Sequence, residues 1–199
     1  MKLLYVGILK TNVEPTVELC SEKDLSSWSR FTRGSVEEFM TFTAKTIAER
    51  TRAGQRQDVE EREYTFHVYT RSEGITGIII SDHEYPSLVA HQVLSKMCDE
   101  FLMDNSRASW ESQKTNASVT WPKLKEYLTK YQDPQAADSI MRIQNELDET
   151  KILMKKTIES VLERGEKIDS LVSKSEDLNS RSKMFYTQAK KQNSCCVVM

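Results

Sequence analysis

Nowhere in the 199 residues does an uninterrupted apolar run approach the ~18 residues that a membrane-spanning helix needs. The opening MKLLYVGILK imitates a secretory leader, but its apolar stretch is short and no small-residue cleavage site follows. Tyr5, Val6 and Ile8 suit a buried strand instead, so the chain is expected to be made and kept in the cytosol. Cysteine is scarce, at four residues. In a reducing compartment Cys20 and Cys98 are expected to be free thiols packed as small core hydrophobes. An excess of one charge is also missing: charged residues make up 29% of the chain but net only −2, which argues against nucleic acid as a main partner.

Signatures of catalysis are lacking as well. There is no G-x-x-x-x-G-K-[ST] loop and no nucleophile elbow. His67 sits inside a strand run and His91 on a helix, with no ligand spacing between them. Asp82-His83-Glu84 reads as a solvated turn, because one tripeptide does not complete a metal site. No catalytic residue, no metal and no bound cofactor are expected. An acyltransferase using a thiol within 1–131 would need a Cys–His arrangement that the sequence does not offer, so the chain is not expected to be an enzyme.

Proline and glycine run out after Pro134. Beyond it there is no proline, the only glycine is Gly165, and no Trp and one Phe remain. A boundary therefore falls near Gln132-Asp133-Pro134, dividing a mixed-core domain (1–131) and a linker (132–137) from a helical segment (138–192) and a tail (193–199). In the first part Leu3–Leu9 and Thr16–Cys20 read as strands across a turn at Asn12–Pro15. Gly34-Ser35-Val36-Glu37-Glu38 opens a helix to about Arg52, with Ser35 and Glu38 as a capping box. Glu60–Thr70 and Ile75–Ser81 form a hairpin around Arg71–Gly74, with a short strand near Gln57–Val59. Pro86-Ser87 opens a helix striped with Ala90, Leu94, Met97 and Phe101, and Trp121-Pro122 opens a last one carrying Leu124 and Leu128. The order β-β-α-β-β-β-α-α predicts an α+β sandwich around an antiparallel sheet. On the first helix Val36, Phe39, Met40, Thr43 and Ile47 should face that sheet. Phe42 lies off the stripe, as an isolated exposed aromatic, one covered by a loop, or an anchor for another segment.

The second part carries a different pattern. Ile140, Ile143, Leu147, Thr150, Met154, Thr157, Val161, Arg164, Ile168, Leu171, Ser175, Leu178, Ser182, Phe185, Ala189 and Gln192 recur at alternating steps of three and four. That is a coiled-coil seam of about seven heptads, or a rod of roughly 80 Å. With Glu, Asp, Lys, Ser and Gln at the surrounding positions, a lone helix would bury nothing and needs partner helices. Arg164 is the odd member. It either snorkels to the bundle surface or meets polar partner side chains in one buried layer that locks the register. Periodicity leaves both open. Ser175 and Ser182, one heptad apart, are either small fillers or phosphorylation sites that would drive charge into an apolar layer.

The chain ends NSCCVVM. Cys196-Val197-Val198-Met199 is a C-a-a-X box whose terminal Met favours farnesyl. One lipid holds a protein only reversibly, so stable anchoring takes a second signal, which palmitate on Cys195 would supply. After Asp177 there is no acidic residue, while Arg181, Lys183, Lys190 and Lys191 are basic; that small excess favours an anionic cytoplasmic leaflet.

Leu162-Glu163-Arg164-Gly165-Glu166-Lys167-Ile168, with the seam phase around it, resembles the central layer of an R-SNARE. The first part looks like a longin domain. Together with the cysteine-rich end, the chain resembles the Ykt-type prenylated longin R-SNAREs. The resemblance implies a profilin-like α-β-α longin fold and a SNARE helix that zippers with three Q-SNARE helices, whose glutamines face Arg164, in membrane fusion. It implies farnesyl on Cys196 and palmitoyl on Cys195 as covalent lipids, added by prenyl- and acyltransferases. It implies fold-back of the SNARE segment on the longin domain near Phe42. It places the protein in the cytosol and, when lipidated, on the cytoplasmic face of Golgi, ER and endosomal or vesicle membranes. Ser175 and Ser182 depart from the pattern, being small and polar where packed layers prefer aliphatics. The alternative is a prenylated coiled-coil tether or adaptor, which would self-associate and bury Arg164 against itself.

Overall fold

The computed structural model describes residues 2–133 and 152–194. Seam positions Ile140, Ile143, Leu147 and Thr150, the linker beyond Asp133, and the tail from Cys195 lie outside them.

Strands β1 (Leu3–Lys10), β2 (Val17–Lys23), β3 (Arg56–Glu61), β4 (Tyr64–Thr70) and β5 (Ile75–Asp82) form the antiparallel order β2-β1-β5-β4-β3. The apolar runs of β1 and β5 occupy the middle, where both faces are covered and a near-continuous hydrophobic sequence fits. Helix α1 (Arg33–Glu49) covers one face, and α2 (Ser87–Asp104), α3 (Arg107–Glu111) and α4 (Lys123–Lys130) belong to the other side. The α+β class read from the sequence is borne out.

The stripe Ala90, Leu94, Met97 and Phe101 is buried on α2. Helix α2 lies close on β5 because Gly77 has no side chain: a Cβ there would stand 2.7 Å from Cys98 Sγ. Cys98 and Cys20 are free and buried. Burial, the largest cause for each, pushes both thiols up to about 12, which makes them poor nucleophiles at neutral pH.

Three local expectations need correction. The capping box does not form: α1 begins at Arg33 after Thr32, and Ser35 lies inside the helix. Glu38 instead accepts hydrogen bonds from the backbone and side-chain nitrogens of Asn179. Phe39, placed by its spacing toward the sheet, is half-buried and stacks on Tyr186 with centroids 5.1 Å apart. The run Glu60–Thr70 is broken at Arg62, whose φ of 55° turns the chain between β3 and β4. Helix α3, too short to show a period, was not legible.

Candidate functional site

The largest departure from the sequence reading lies in residues 152–194. A continuous helix was expected, but Ile152–Thr157 form a sixth strand, β6, paired in parallel with β3. The segment continues as α5 (Ile158–Val161), α6 (Ile168–Lys174) and α7 (Ser180–Ser194). A lone amphipathic helix is marginal in water, whereas the open edge of β3 offers unpaired backbone groups that a strand can satisfy.

The breaks are built into the sequence. Gly165 sits at φ +93° in the turn between α5 and α6, a conformation that costs glycine little and other residues more. Asn179 caps α7, its Oδ1 accepting from Ser182 N at 2.8 Å. At β6 Lys155 pairs with Glu60 at 3.0 Å, and Lys156 Nζ donates to Gln57 Oε1 at 3.3 Å.

The segment packs on the α1 side of the sheet. Ile158, Leu162, Ile168, Val172, Leu178 and Tyr186 join one buried cluster with Phe42, Val59 and Phe66. Four of these, Ile158, Leu162, Val172 and Tyr186, lie off the seam, so the expectation that surrounding positions are all polar is corrected. Each follows a seam residue by one position: Thr157, Val161, Leu171 and Phe185. A second apolar stripe, displaced by one residue, was the overlooked signal.

Ion pairs rim this apolar contact. Lys45 meets Asp177 and Arg50 meets Glu166, each at 2.9 Å. The Arg50 hydrogen bond holds the Glu166 carboxyl below its ordinary range. Such half-exposed pairs contribute at most ~1 kcal/mol each, so the apolar residues dominate the docking.

The structure distributes the singled-out residues unevenly. Ile168 and Leu178 are buried in the cluster shared with α1 and the sheet, and Ser182 is buried as well, while Val161, Leu171, Ser175, Phe185 and Ala189 are half-buried. Thr157 and Arg164 are exposed, and Met154 lies on β6. The buried Ser182 hydroxyl has no hydrogen-bond partner among the described residues. Phe42 is 8% exposed and lines a cleft of about 250 Å³ with Leu171, Lys174 and Ser175. A second, more apolar cavity of about 300 Å³ lies between α1, the β3–β4 turn and α7, walled by Trp28, Phe39, Tyr64, Phe66, Phe185 and Ala189.

His67 and His91, for which the sequence offered no spacing, are brought together by the sheet and α2. Asp58 on β3 is the third member, and one ligand atom from each lies within 4.8 Å of the others. Asp58 Oδ1 accepts from His67 Nδ1 at 2.7 Å and His91 Nε2 at 2.8 Å, and Ser87 Oγ donates to Oδ2. The atoms that would face a cation thus face each other. Burial pushes the Asp58 pKa up, but the hydrogen bonds and charges of the two histidines outweigh it and hold the carboxyl far below its ordinary value. Burial dominates at His91 and lowers its pKa.

Removing one partner from such a buried set strands the others, so Asp58→Ala is expected to cost about 3–5 kcal/mol in chemical denaturation. Both depressed groups give stability that is present above their unfolded pKa values and lost as pH falls. For His91 the loss starts below ~6.5 and for Asp58 below ~3.9. The melting temperature should therefore fall from pH 7 to 5, less steeply in His91→Gln.

His83 hydrogen-bonds Thr65 and the Arg62 carbonyl and stands apart from this cluster.

Comparison with known proteins agrees with this architecture. The longin family, described as a regulated-SNARE-like domain, matches residues 25–128, and the synaptobrevin family matches 139–197. Synaptobrevin homolog ykt6 of Schizosaccharomyces pombe is 56% identical over 198 residues. The YKT6 homologues of Debaryomyces hansenii and Saccharomyces cerevisiae are 54% and 52% identical over 200 residues. In all three the match covers 100% of both chains. A longin domain joined to a synaptobrevin segment, matched along its whole length by these relatives, places the chain in the Ykt6 family of synaptobrevin homologues, R-SNAREs of membrane trafficking.

Proposed function

We propose that this chain drives fusion of intracellular membranes by zippering residues 138–192 with three Q-SNARE helices, and that the folded-back form is its resting state. One observation carries the reading: seam residues Ile168 and Leu178, which a four-helix bundle would bury, are already buried in one cluster with side chains of the longin domain. The two arrangements compete for the same side chains, so the bundle forms only after the segment leaves β3 and α1. A ligand that binds only the open form shifts the balance by its differential affinity. Q-SNARE helices are such ligands.

Arg164 is exposed in the resting form and would enter the bundle's central layer on assembly, meeting the partners' glutamines. Arg164→Leu is therefore expected to leave the melting temperature of the isolated chain within about 1 °C, as surface substitutions do, while changing which Q-SNARE helices it captures. Pull-down against a panel of such helices tests this. Assembly with the panel identifies a SNARE, whereas self-association without Q-SNARE helices identifies a tether. Unchanged selectivity in Arg164→Leu contradicts the register lock.

The reading extends to the tail. Farnesyl on Cys196 and palmitoyl on Cys195, added by prenyl- and acyltransferases, anchor the protein to the cytoplasmic leaflet of Golgi, ER and endosomal or vesicle membranes. The apolar cavity beside Phe185 and Ala189 has the chemistry to shelter a prenyl chain in the resting form. Phosphate on Ser182 would carry about −1.5 to −2 charges into a site that is 1% exposed. It therefore opposes the resting form as well as the bundle layer.

A further inference from the structure

The loop between β2 and α1 carries an aromatic side chain that its own structure turns outward. Phe31 is 81% exposed, yet the loop around it is well tied. Thr32 N and Arg33 N donate to Ser29 O at 3.0 and 3.1 Å, and Arg33 Nε donates to Trp28 O at 3.0 Å. Trp28 turns inward, its ring centroid 6.4 Å from that of Tyr64. Arg181 of α7 donates to the Phe31 carbonyl at 2.9 Å. Arg30, Arg33 and Arg181 are all exposed, and none has an ion pair among the described residues. Met184, three residues beyond Arg181 on the same helix, is 59% exposed. Phe31 thus shares its loop with Arg30 and Arg33 and takes Arg181 on its carbonyl, a group of three exposed guanidiniums.

We propose that this loop is a membrane contact that inserts Phe31 into bilayers containing anionic phospholipid, independently of any lipid on Cys195 or Cys196. The charge complementarity is specific. An aromatic ring gains by entering the interfacial region of a bilayer, and each basic residue near an anionic surface strengthens binding about fivefold. Arg30 and Arg33 come from the longin domain and Arg181, bonded to the Phe31 carbonyl, from the SNARE segment, so the group of three is complete only while the segment is folded back. The resting form thereby keeps a weak, reversible hold on a membrane before its seam is released.

The test is flotation of the full chain carrying Cys195→Ser and Cys196→Ser with phosphatidylcholine vesicles, with and without phosphatidylserine. The expected result is association with the anionic vesicles only, weakened as salt rises. Phe31→Ser should reduce the partition coefficient at least tenfold, and Arg30→Gln about fivefold. Both sites are exposed, so thermal melting of the variants should match the parent and exclude unfolding as the cause. No association with anionic vesicles, or equal association of the parent and Phe31→Ser, overturns the proposal. Neither outcome touches the SNARE reading, which the Q-SNARE pull-down tests separately.

Discussion

Phe42→Glu should open the protein: residues 152–194 should become at least tenfold more sensitive to protease, and Q-SNARE helices should capture the chain faster. Phe42 is 8% exposed and lines its cleft with Leu171 and Ser175. Losing the buried ring removes ~1.5–3 kcal/mol of transfer energy, and the new carboxylate is disfavoured in that apolar contact. A tenfold shift takes only ~1.4 kcal/mol, so even partial relief of the charge by Lys45 or Lys174 leaves a large effect. The longin core should survive, because the sheet-facing side chains Val36, Met40, Thr43 and Ile47 are untouched. Amides of β1 and β5 should keep their protection from exchange. Equal protease protection of 152–194 in the parent and in Phe42→Glu would show that Phe42 does not hold the segment.

The second large effect is at the tail. On the proposed lipidation, Cys196→Ser removes the prenyl acceptor of the C-a-a-X box. It should also abolish acylation of Cys195, because the acyltransferase then loses a membrane-bound substrate. With ~0.8 kcal/mol contributed per buried CH₂, loss of both chains removes the whole lipid anchor. Membrane-associated protein in cells should fall at least tenfold, to the level that surface contacts alone sustain, with melting unchanged. Cys195→Ser should keep a weaker, reversible association. A Cys196→Ser protein that pellets with membranes like the parent would contradict farnesyl anchoring.

Much of the longin domain was legible because its signals are local. The apolar runs of β1 and β5, the stripe on α2 and the Trp121-Pro122 helix start each fix an element without reference to the rest of the chain. The Asp58–His67–His91 set was invisible for the opposite reason: it is assembled from two neighbouring strands and a helix in register, and sequence spacing does not report that. The 152–194 segment failed in a third way. Its seam is a true periodic signal, but it describes the packing of the proposed helix bundle and not the fold-back on the first domain. The same residues carry a second stripe, Ile158, Leu162, Val172 and Tyr186, one position behind the seam. The more regular pattern masked the one that the fold-back uses. Gly165 belongs to both, being tolerated inside a helix and suited to the left-handed turn seen in the folded-back form.

Amide hydrogen exchange on the unlipidated full chain, alone and with three Q-SNARE helices, tests the central claim most directly. Alone, the amides of 153–157 and of the α7 core should be protected together with β3, because β6 completes the sheet. On assembly the 152–192 amides should become more protected, while part of β3 loses protection as its edge is uncovered. Exchange of 153–157 at the unfolded rate in the isolated chain, or β3 protection unchanged on assembly, would contradict a resting form held by this strand.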